Sequence, residues 1–321
     1  MPNLLLTNTC NRSCAYCFAL AQVKVGTTRP NWEMSQAELE TVLGYLDPRF
    51  DPVSLLGGEP TLHSRFTSIV HDIVGRGFDV KIFTNGTTPP LREIDPADLE
   101  ALTVILNLNP RETYRDDAWG EIEANGRFMG PRMRVSLNVD GPRFTWDHIV
   151  AAIEEWNLGR LVRLGVTQPI RGMANRYLKE PDIPEASRRI VRMAQEMAER
   201  GITIGFDCGF RTCSFTEEER GILAECGTQF LFSCRPVLDI GPELMCWRCF
   251  PFSVEEGLRL TDFESLPELS RAFEEKWGAI ACRGNVAECP SCEQLLTGVC
   301  RGGCLSRTLL REVALAGAGG V

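Results

Sequence analysis

Cys10-Asn11-Arg12-Ser13-Cys14-Ala15-Tyr16-Cys17 sets three cysteines in a C-x3-C-x2-C spacing just after the apolar run Leu4-Leu5-Leu6. Three thiolates hold three irons of a [4Fe-4S] cluster and leave the fourth iron open to a substrate or cofactor; soft sulfur donors select such clusters over hard cations. A structural zinc site is normally closed by a fourth Cys or His. None of the three histidines, His63, His71 and His148, lies beside this loop, so zinc would need a distant fourth ligand. Downstream, Gly57-Gly58-Glu59-Pro60 directly follows the apolar Val53-Ser54-Leu55-Leu56. Glycines let the backbone approach a ligand closely, Glu59 offers a carboxylate to an ammonium, and Pro60 stiffens the turn. Taken alone, the same four residues read as a strand-ending turn with a solvated acid.

Composition sets the outer bounds. A chain of 321 residues with 44% hydrophobic content buries a large core and accommodates one large domain plus a smaller one. Net charge is −9, with no long run of like charge, so nothing marks a nucleic-acid footprint. The apolar runs fall short of the roughly 18 residues that a membrane span requires. Met1-Pro2-Asn3 leads straight into the first apolar run with no basic segment ahead of it, which predicts a cytoplasmic protein without a signal peptide. Fourteen cysteines are unevenly placed: three lie in the first loop and the other eleven follow Asp207. In a reducing compartment that pattern reads as metal ligation rather than disulfide bonding.

Between residues 3 and 207, short apolar strands alternate with amphipathic stretches. Ser35 and Glu38 form a capping-box pair ahead of Leu39, Val42, Leu43 and Leu46 at helical spacing. Strands are predicted at 53–56, 80–83, 104–108, 133–139, 161–166 and 202–206, and a long helix at 184–200. Met193 and Met197 on that helix read as core. Such alternation implies a parallel sheet with its ligand site at the C-terminal strand ends, where both early motifs sit. Thr84, Asn85, Asn107, Asn109, Ser136 and Asn138 also fall at strand ends, with Arg163 in the sixth strand. They suit hydrogen bonds to a ribose or substrate and, for Arg163, a carboxylate; Asn and Ser equally serve to end strands and cap helices.

From Cys208 the composition changes, so residues 1–207 and 208–321 are expected to form two domains. Pro236–Ile240 and Met245–Phe250 read as a hairpin turned at Gly241-Pro242-Glu243. The chain ends with Cys289, Cys292, Cys300 and Cys304, a C-x2-C-x7-C-x3-C array. C-x2-C spacing also allows closed zinc sites.

The first motif resembles the signature of the radical SAM superfamily, C-x3-C-x-aromatic-C, with Tyr16 in the aromatic place, and Gly57–Pro60 matches that family's GGEP segment. The resemblance implies a partial (β/α)6 barrel, open along one side, in which Cys10, Cys14 and Cys17 hold a [4Fe-4S] cluster. Its open iron would chelate S-adenosylmethionine, whose cleavage gives a 5'-deoxyadenosyl radical that abstracts hydrogen. Tyr16, Gly57, Gly58, Glu59, Pro60, Thr84, Asn85, Ser136, Asn138 and Arg163 are the expected cofactor contacts.

The later cysteines resemble the SPASM extension of that superfamily, C-x9-15-G-x4-C followed by C-x2-C-x5-C-x3-C and a last cysteine. Cys234 and Cys249 fit the first half if Leu244 stands in for the glycine; Cys226, Gly241 and Cys246 offer a second register. Seven residues separate Cys292 from Cys300 and no cysteine follows Cys304, so Cys282 is a candidate for the trailing ligand. The expected auxiliary ligands are Cys234, Cys246, Cys249, Cys282, Cys289, Cys292, Cys300 and Cys304, enough for two clusters; a twitch-type relative would hold one. Cys208, ending the last barrel strand, is a candidate hydrogen-atom donor at the barrel mouth.

The resemblance implies a peptide-modifying maturase forming a crosslink, a thioether or an epimerised centre. The alternatives are radical oxidation or rearrangement of a small metabolite and, in another class, a non-catalytic zinc or iron-sulfur module. A flavodoxin or ferredoxin is the expected reductant. Because the first strand opens the sequence, peptide recognition is expected to fall to a separate protein if it is needed at all.

Overall fold

A computed structural model describes residues 2–23 and 32–318. Its first half is a run of strand–helix units: β1 (Asn3–Leu5), α1 (Gln36–Leu43), β2 (Val53–Leu56), α2 (Phe66–Gly75), β3 (Val80–Thr84) and β4 (Leu102–Asn107). It continues through α3 (Asp116–Met129), β5 (Met133–Val139), α4 (Asp147–Glu155), β6 (Gly159–Val166), α5 (Ile183–Ala198) and β7 (Thr203–Phe206). Each strand pairs in parallel with the next, from β1 to β7, and β7 does not pair back onto β1. This is the expected mixed α/β fold with an open, partial barrel.

The local reasons are visible in the chain. The capping box of α1 forms as expected: the Ser35 amide donates to Glu38 Oε2 at 2.8 Å and the Glu38 amide donates to Ser35 Oγ at 3.2 Å. Leu39, Val42 and Leu43 then turn inward. On α5, Met193 and Met197 are fully buried, as their spacing predicts. Leu4, Leu6, Val53, Leu55, Val80 and Ile82 join the helices in one continuous core. No helix among the described residues is long and apolar enough to cross a membrane.

After α6 (Glu217–Glu225) the chain returns to the first strand. The hairpin is present but short, β8 (Asp239–Ile240) against β9 (Met245–Trp247), with β10 (Leu258–Arg259) beyond it; α7 (Leu266–Ala281), α8 (Glu293–Leu296) and α9 (Leu305–Ala318) follow. β8 pairs in parallel with β1, Asn3 opposite Asp239, so the cysteine-rich segment extends the barrel's own sheet and covers its free edge. Leu244, the residue standing where the hairpin motif has glycine, has φ +58°, the left-handed region that glycine occupies without strain.

Asp239 lies at this junction, 2% exposed, accepting from Asn3 Nδ2 at 2.6 Å. Burial pushes its carboxyl from the ordinary 3.8 up to about 7, against hydrogen bonds from Asn3 and the Phe250 amide. The fold therefore prefers the protonated acid. Its contribution to stability is intact below the unfolded value and is lost as pH rises through about 7. Asp239→Asn should leave stability unchanged near pH 4 and raise it at pH 8 by up to roughly 4 kcal/mol, at about 1.4 kcal/mol per pKa unit. Denaturant melts at the two pH values measure this; equal gains at both would assign the effect to packing.

Candidate active site

The loop after β1 is held in place from several sides before any ligand is considered. The Gly58 amide donates to Thr7 O and the Glu59 amide to Thr9 O, both at 2.8 Å, so the Gly57–Pro60 turn lies directly along the root of the cysteine loop. A Cβ at Gly57 would stand 2.6 Å from Thr7 O, and one at Gly58 would collide with the Thr9 carbonyl. Both glycines serve a close backbone approach, as their residue type predicts, but the backbone they meet is the cysteine loop itself.

Glu59 has an internal task. It is 1% exposed, and its carboxylate accepts from the Thr61 hydroxyl and the Thr84 hydroxyl at 2.7 Å, the Asn85 amide at 2.7 Å and the Thr61 amide at 3.3 Å. Burial pushes the Glu59 carboxyl up while these four bonds oppose the shift. The residue ties the end of β2 to the end of β3. Asn85 in turn donates to Asn11 Oδ1 at 2.9 Å, which steadies the loop between Cys10 and Cys14. Pro60 begins a short helical turn for which Glu59 is the cap.

Tyr16 reaches across to β4. Its hydroxyl donates to Asn109 Oδ1 at 2.6 Å and accepts from Asn107 Nδ2 at 3.1 Å, and Asn138 donates to Asn107 Oδ1 at 2.9 Å. The aromatic position is thus a strut between the cysteine loop and the strand ends. Removing its hydroxyl leaves Asn107 and Asn109 short of a partner, so Tyr16→Phe should lower thermal stability by about 1–3 kcal/mol. A thermal melt indistinguishable from wild type would argue against that role.

Cys10, Cys14 and Cys17, with Tyr16, Gly57, Gly58 and Glu59, line one wall of an open cavity. Thr84, Asn85, Asn107, Ser136, Asn138 and Arg163 line another wall, so the candidates at the strand ends converge with the first loop. Burial pushes the Cys10 thiol up to about 11 and the Cys17 thiol up to about 12, values that a bound metal would reverse by taking the thiolate. Arg163 is not a free cation here. Its guanidinium is paired with Asp207 and donates to Ser136 Oγ at 3.0 Å.

Among the described residues, no three or more His, Cys, Asp or Glu side chains draw together closely enough to hold a single metal ion. Zinc–sulfur bonds of about 2.3 Å would require such convergence, whereas a cubane keeps its thiolates farther apart. The first loop presents three soft donors to open space, a donor set that fits a cluster with an open iron.

The later cysteines fall into two neighbourhoods. Cys208, Cys234, Cys249 and Cys304 lie within electrostatic reach of one another. Cys208 lies outside the cavity lining and belongs to this group. The candidate hydrogen donor thus stands among these cysteines rather than on the cavity wall. Cys213 is a neighbour of Cys289 and Cys300, with Cys292 one turn away from Cys289. Cys300 Sγ accepts from the Gly302 amide at 3.3 Å.

Two expected ligands lie apart. Cys246 is fully buried in the main apolar core and donates to Leu244 O at 3.6 Å. Cys282 is exposed at the end of α7 and donates to Ala279 O at 3.2 Å within its own turn. Cys208 and Cys213 escape a sequence reading because no short spacing ties them to their neighbours.

Comparison with known proteins agrees with this geometry. Residues 4–109 match the family model described as the Radical SAM superfamily. The S-adenosylmethionine-dependent nucleotide dehydratase of Selenomonas ruminantium is 28% identical over 153 residues, 42% of this chain and 54% of that protein. The chain thus spans about half the length of this curated relative. Among solved structures, Streptococcus suis SuiB bound to precursor peptide SuiA matches with TM-score 0.66 at 16% identity, over 94% of this chain and 71% of that one. The native anSMEcpe structure with bound AdoMet matches with TM-score 0.62 at 16% identity, over 95% of this chain and 89% of that one. At such identities the likeness is one of fold, and it spans the cysteine-rich segment as well as the barrel. The match to the Radical SAM superfamily model runs from the first strand through the cysteine loop and the Gly57–Pro60 turn to just past the fourth strand.

Proposed function

We propose that this chain is a radical SAM enzyme that modifies a peptide, with a catalytic [4Fe-4S] cluster at Cys10, Cys14 and Cys17 and two auxiliary clusters. The observation that carries the reading is the open cavity that brings the three cysteines of the first loop face to face with the polar strand ends. When bound, the cluster and S-adenosylmethionine supply hydrogen abstraction from unactivated C–H bonds; the protein supplies binding, orientation and exclusion of water. Gly57 and Gly58 keep the loop flush against β2, and Tyr16 fixes its far side. Ser136 and Asn138 present polar atoms to the cofactor and substrate.

Cys208, Cys234, Cys249 and Cys304 form the first auxiliary ligand set and Cys213, Cys289, Cys292 and Cys300 the second. The first half, residues 1–207, would house the catalytic centre and residues 208–321 the auxiliary one. Cys208→Ala should therefore lower the iron content of the auxiliary segment, whereas a hydrogen donor would leave iron unchanged and alter only the product. A low-potential flavodoxin or ferredoxin in the cytoplasm would serve as reductant, with peptide recognition falling to a separate protein.

A nucleotide substrate is the second reading, favoured by the Selenomonas relative. The cavity's charges weigh against a polyphosphate. Arg163 is paired with Asp207 and Arg176 with Asp140, and Arg12 alone of the three lining arginines has no carboxylate partner among the described residues. Phe18, Leu20, Leu56, Phe83 and Ile105 add apolar surface suited to peptide side chains. Reduced, reconstituted protein should release 5'-deoxyadenosine faster with a short peptide encoded beside its gene, and that peptide should lose two hydrogens or take up solvent deuterium. Stimulation by nucleoside triphosphates, with every such peptide unchanged, would replace the peptide reading by the nucleotide one.

A further inference from the structure

Arg248 sits between β9 and Cys249 and is 5% exposed. Its guanidinium donates to Cys234 Sγ at 3.3 Å and to Cys234 O at 3.0 Å, and the groups that act on its charge are Cys234, Cys249 and Cys304, with no carboxylate among them. Cys249 follows it directly in the chain, and Cys304 is within electrostatic reach. A guanidinium remains charged at every pH a protein meets, and a buried charge without a counter-charge is strongly disfavoured. Free thiols are neutral near pH 7 and cannot supply that counter-charge. The neighbourhood makes electrostatic sense only when its sulfurs are thiolates around a centre of net negative charge.

We propose that Arg248 is the counter-ion and hydrogen-bond donor of the first auxiliary cluster, and that it raises that cluster's reduction potential. This rests on the auxiliary-cluster reading given above. A cluster bound by four thiolates is anionic and gains one further negative charge when it accepts an electron. A buried cation beside one of its sulfurs therefore stabilises the reduced form more than the oxidised form, and N–H···S bonds act in the same direction. Arg248 is a positioning and tuning residue: it touches a ligand sulfur, not the substrate. Its effect would be to make this cluster the readier acceptor of an electron leaving an oxidised substrate, while the buried cation nearest the second group, Arg211 beside Cys213, is already neutralised by Glu180.

The experiment compares Arg248→Met and Arg248→Lys in the full chain, each carrying Cys10, Cys14 and Cys17 replaced by Ala so that only auxiliary clusters report. After anaerobic reconstitution, iron is counted and the potentials are read by dithionite titration followed by electron paramagnetic resonance. The expected result is an auxiliary potential shifted to more negative values by Arg248→Met and by a smaller amount by Arg248→Lys, with the second cluster unmoved. If Arg248→Met fails to hold its iron, Arg248→Lys decides: retained iron with a small negative shift supports the proposal, and lost iron in both overturns the tuning role. Full iron with unchanged potentials in Arg248→Met overturns it as well. Absence of iron from the parent triple variant would instead overturn the auxiliary-cluster reading itself.

Discussion

Replacing Cys10, Cys14 and Cys17 together by Ala should abolish reductive cleavage of S-adenosylmethionine while removing about four irons per chain and leaving about eight in place. The effect is expected to be complete because, among the described residues, no other thiol lines the cavity in which the proposed cluster would meet S-adenosylmethionine. The remaining cysteines belong to separate neighbourhoods, so their iron should survive. Stability should change little, since the three cysteines are only partly buried and the thiols of Cys10 and Cys17 accept one backbone hydrogen bond each, from Arg12 and Ala19. Anaerobic iron and sulfide analysis, paired with chromatographic detection of 5'-deoxyadenosine, measures both halves of the prediction. Persisting cleavage in this variant would place the reaction elsewhere.

Gly58→Ala should have the next largest effect. The atoms its Cβ would strike are the Thr9 carbonyl and the Cys10 amide, the latter 2.9 Å away, and both are backbone that cannot rotate aside as a flexible side chain can. Relief requires the cysteine loop to move off β2, breaking the bonds from the Gly58 and Glu59 amides to Thr7 and Thr9. A displacement of about 1 Å at a reacting centre costs on the order of 100-fold in rate. The variant is therefore expected to lose about 100-fold in 5'-deoxyadenosine release and to hold its catalytic iron weakly. Gly75→Ala and Gly120→Ala serve as controls, because nothing lies within 4 Å of a Cβ at either position. Equal rates for all three variants would sink the close-approach argument.

Much of this arrangement was legible in the chain because the signals are local. The apolar runs of the seven parallel strands, the Ser35–Glu38 cap and the stripe of α5 each depend on neighbours a few residues away, and the structure differs from expectation only by a residue or two at their ends. The hairpin was legible for the same reason, down to Leu244 in the place of a glycine. Pairings between distant segments were not. Nothing in Asn3 or Asp239 announces that β8 will lie beside β1, since both strands read only as short apolar runs. Glu59 shows the same gap within the site: its residue type suggests a ligand for an ammonium and it does line the cavity, but nothing in the sequence announces that Thr61, Thr84 and Asn85 also use its carboxylate to tie the strand ends together. Cys208, Cys213 and Arg248 acquire their chemical neighbours only through the tertiary fold, across gaps that no spacing rule covers.

The central claim is one catalytic centre and two auxiliary centres in a single chain, and the most direct measurement is iron and sulfide per chain after anaerobic reconstitution of the wild type, with 5'-deoxyadenosine release on reduction followed in the same sample. The account predicts about twelve irons, in three clusters of four, together with cleavage. About eight irons with cleavage would reduce the auxiliary centres to one, and zinc in place of iron with no cleavage would contradict the account.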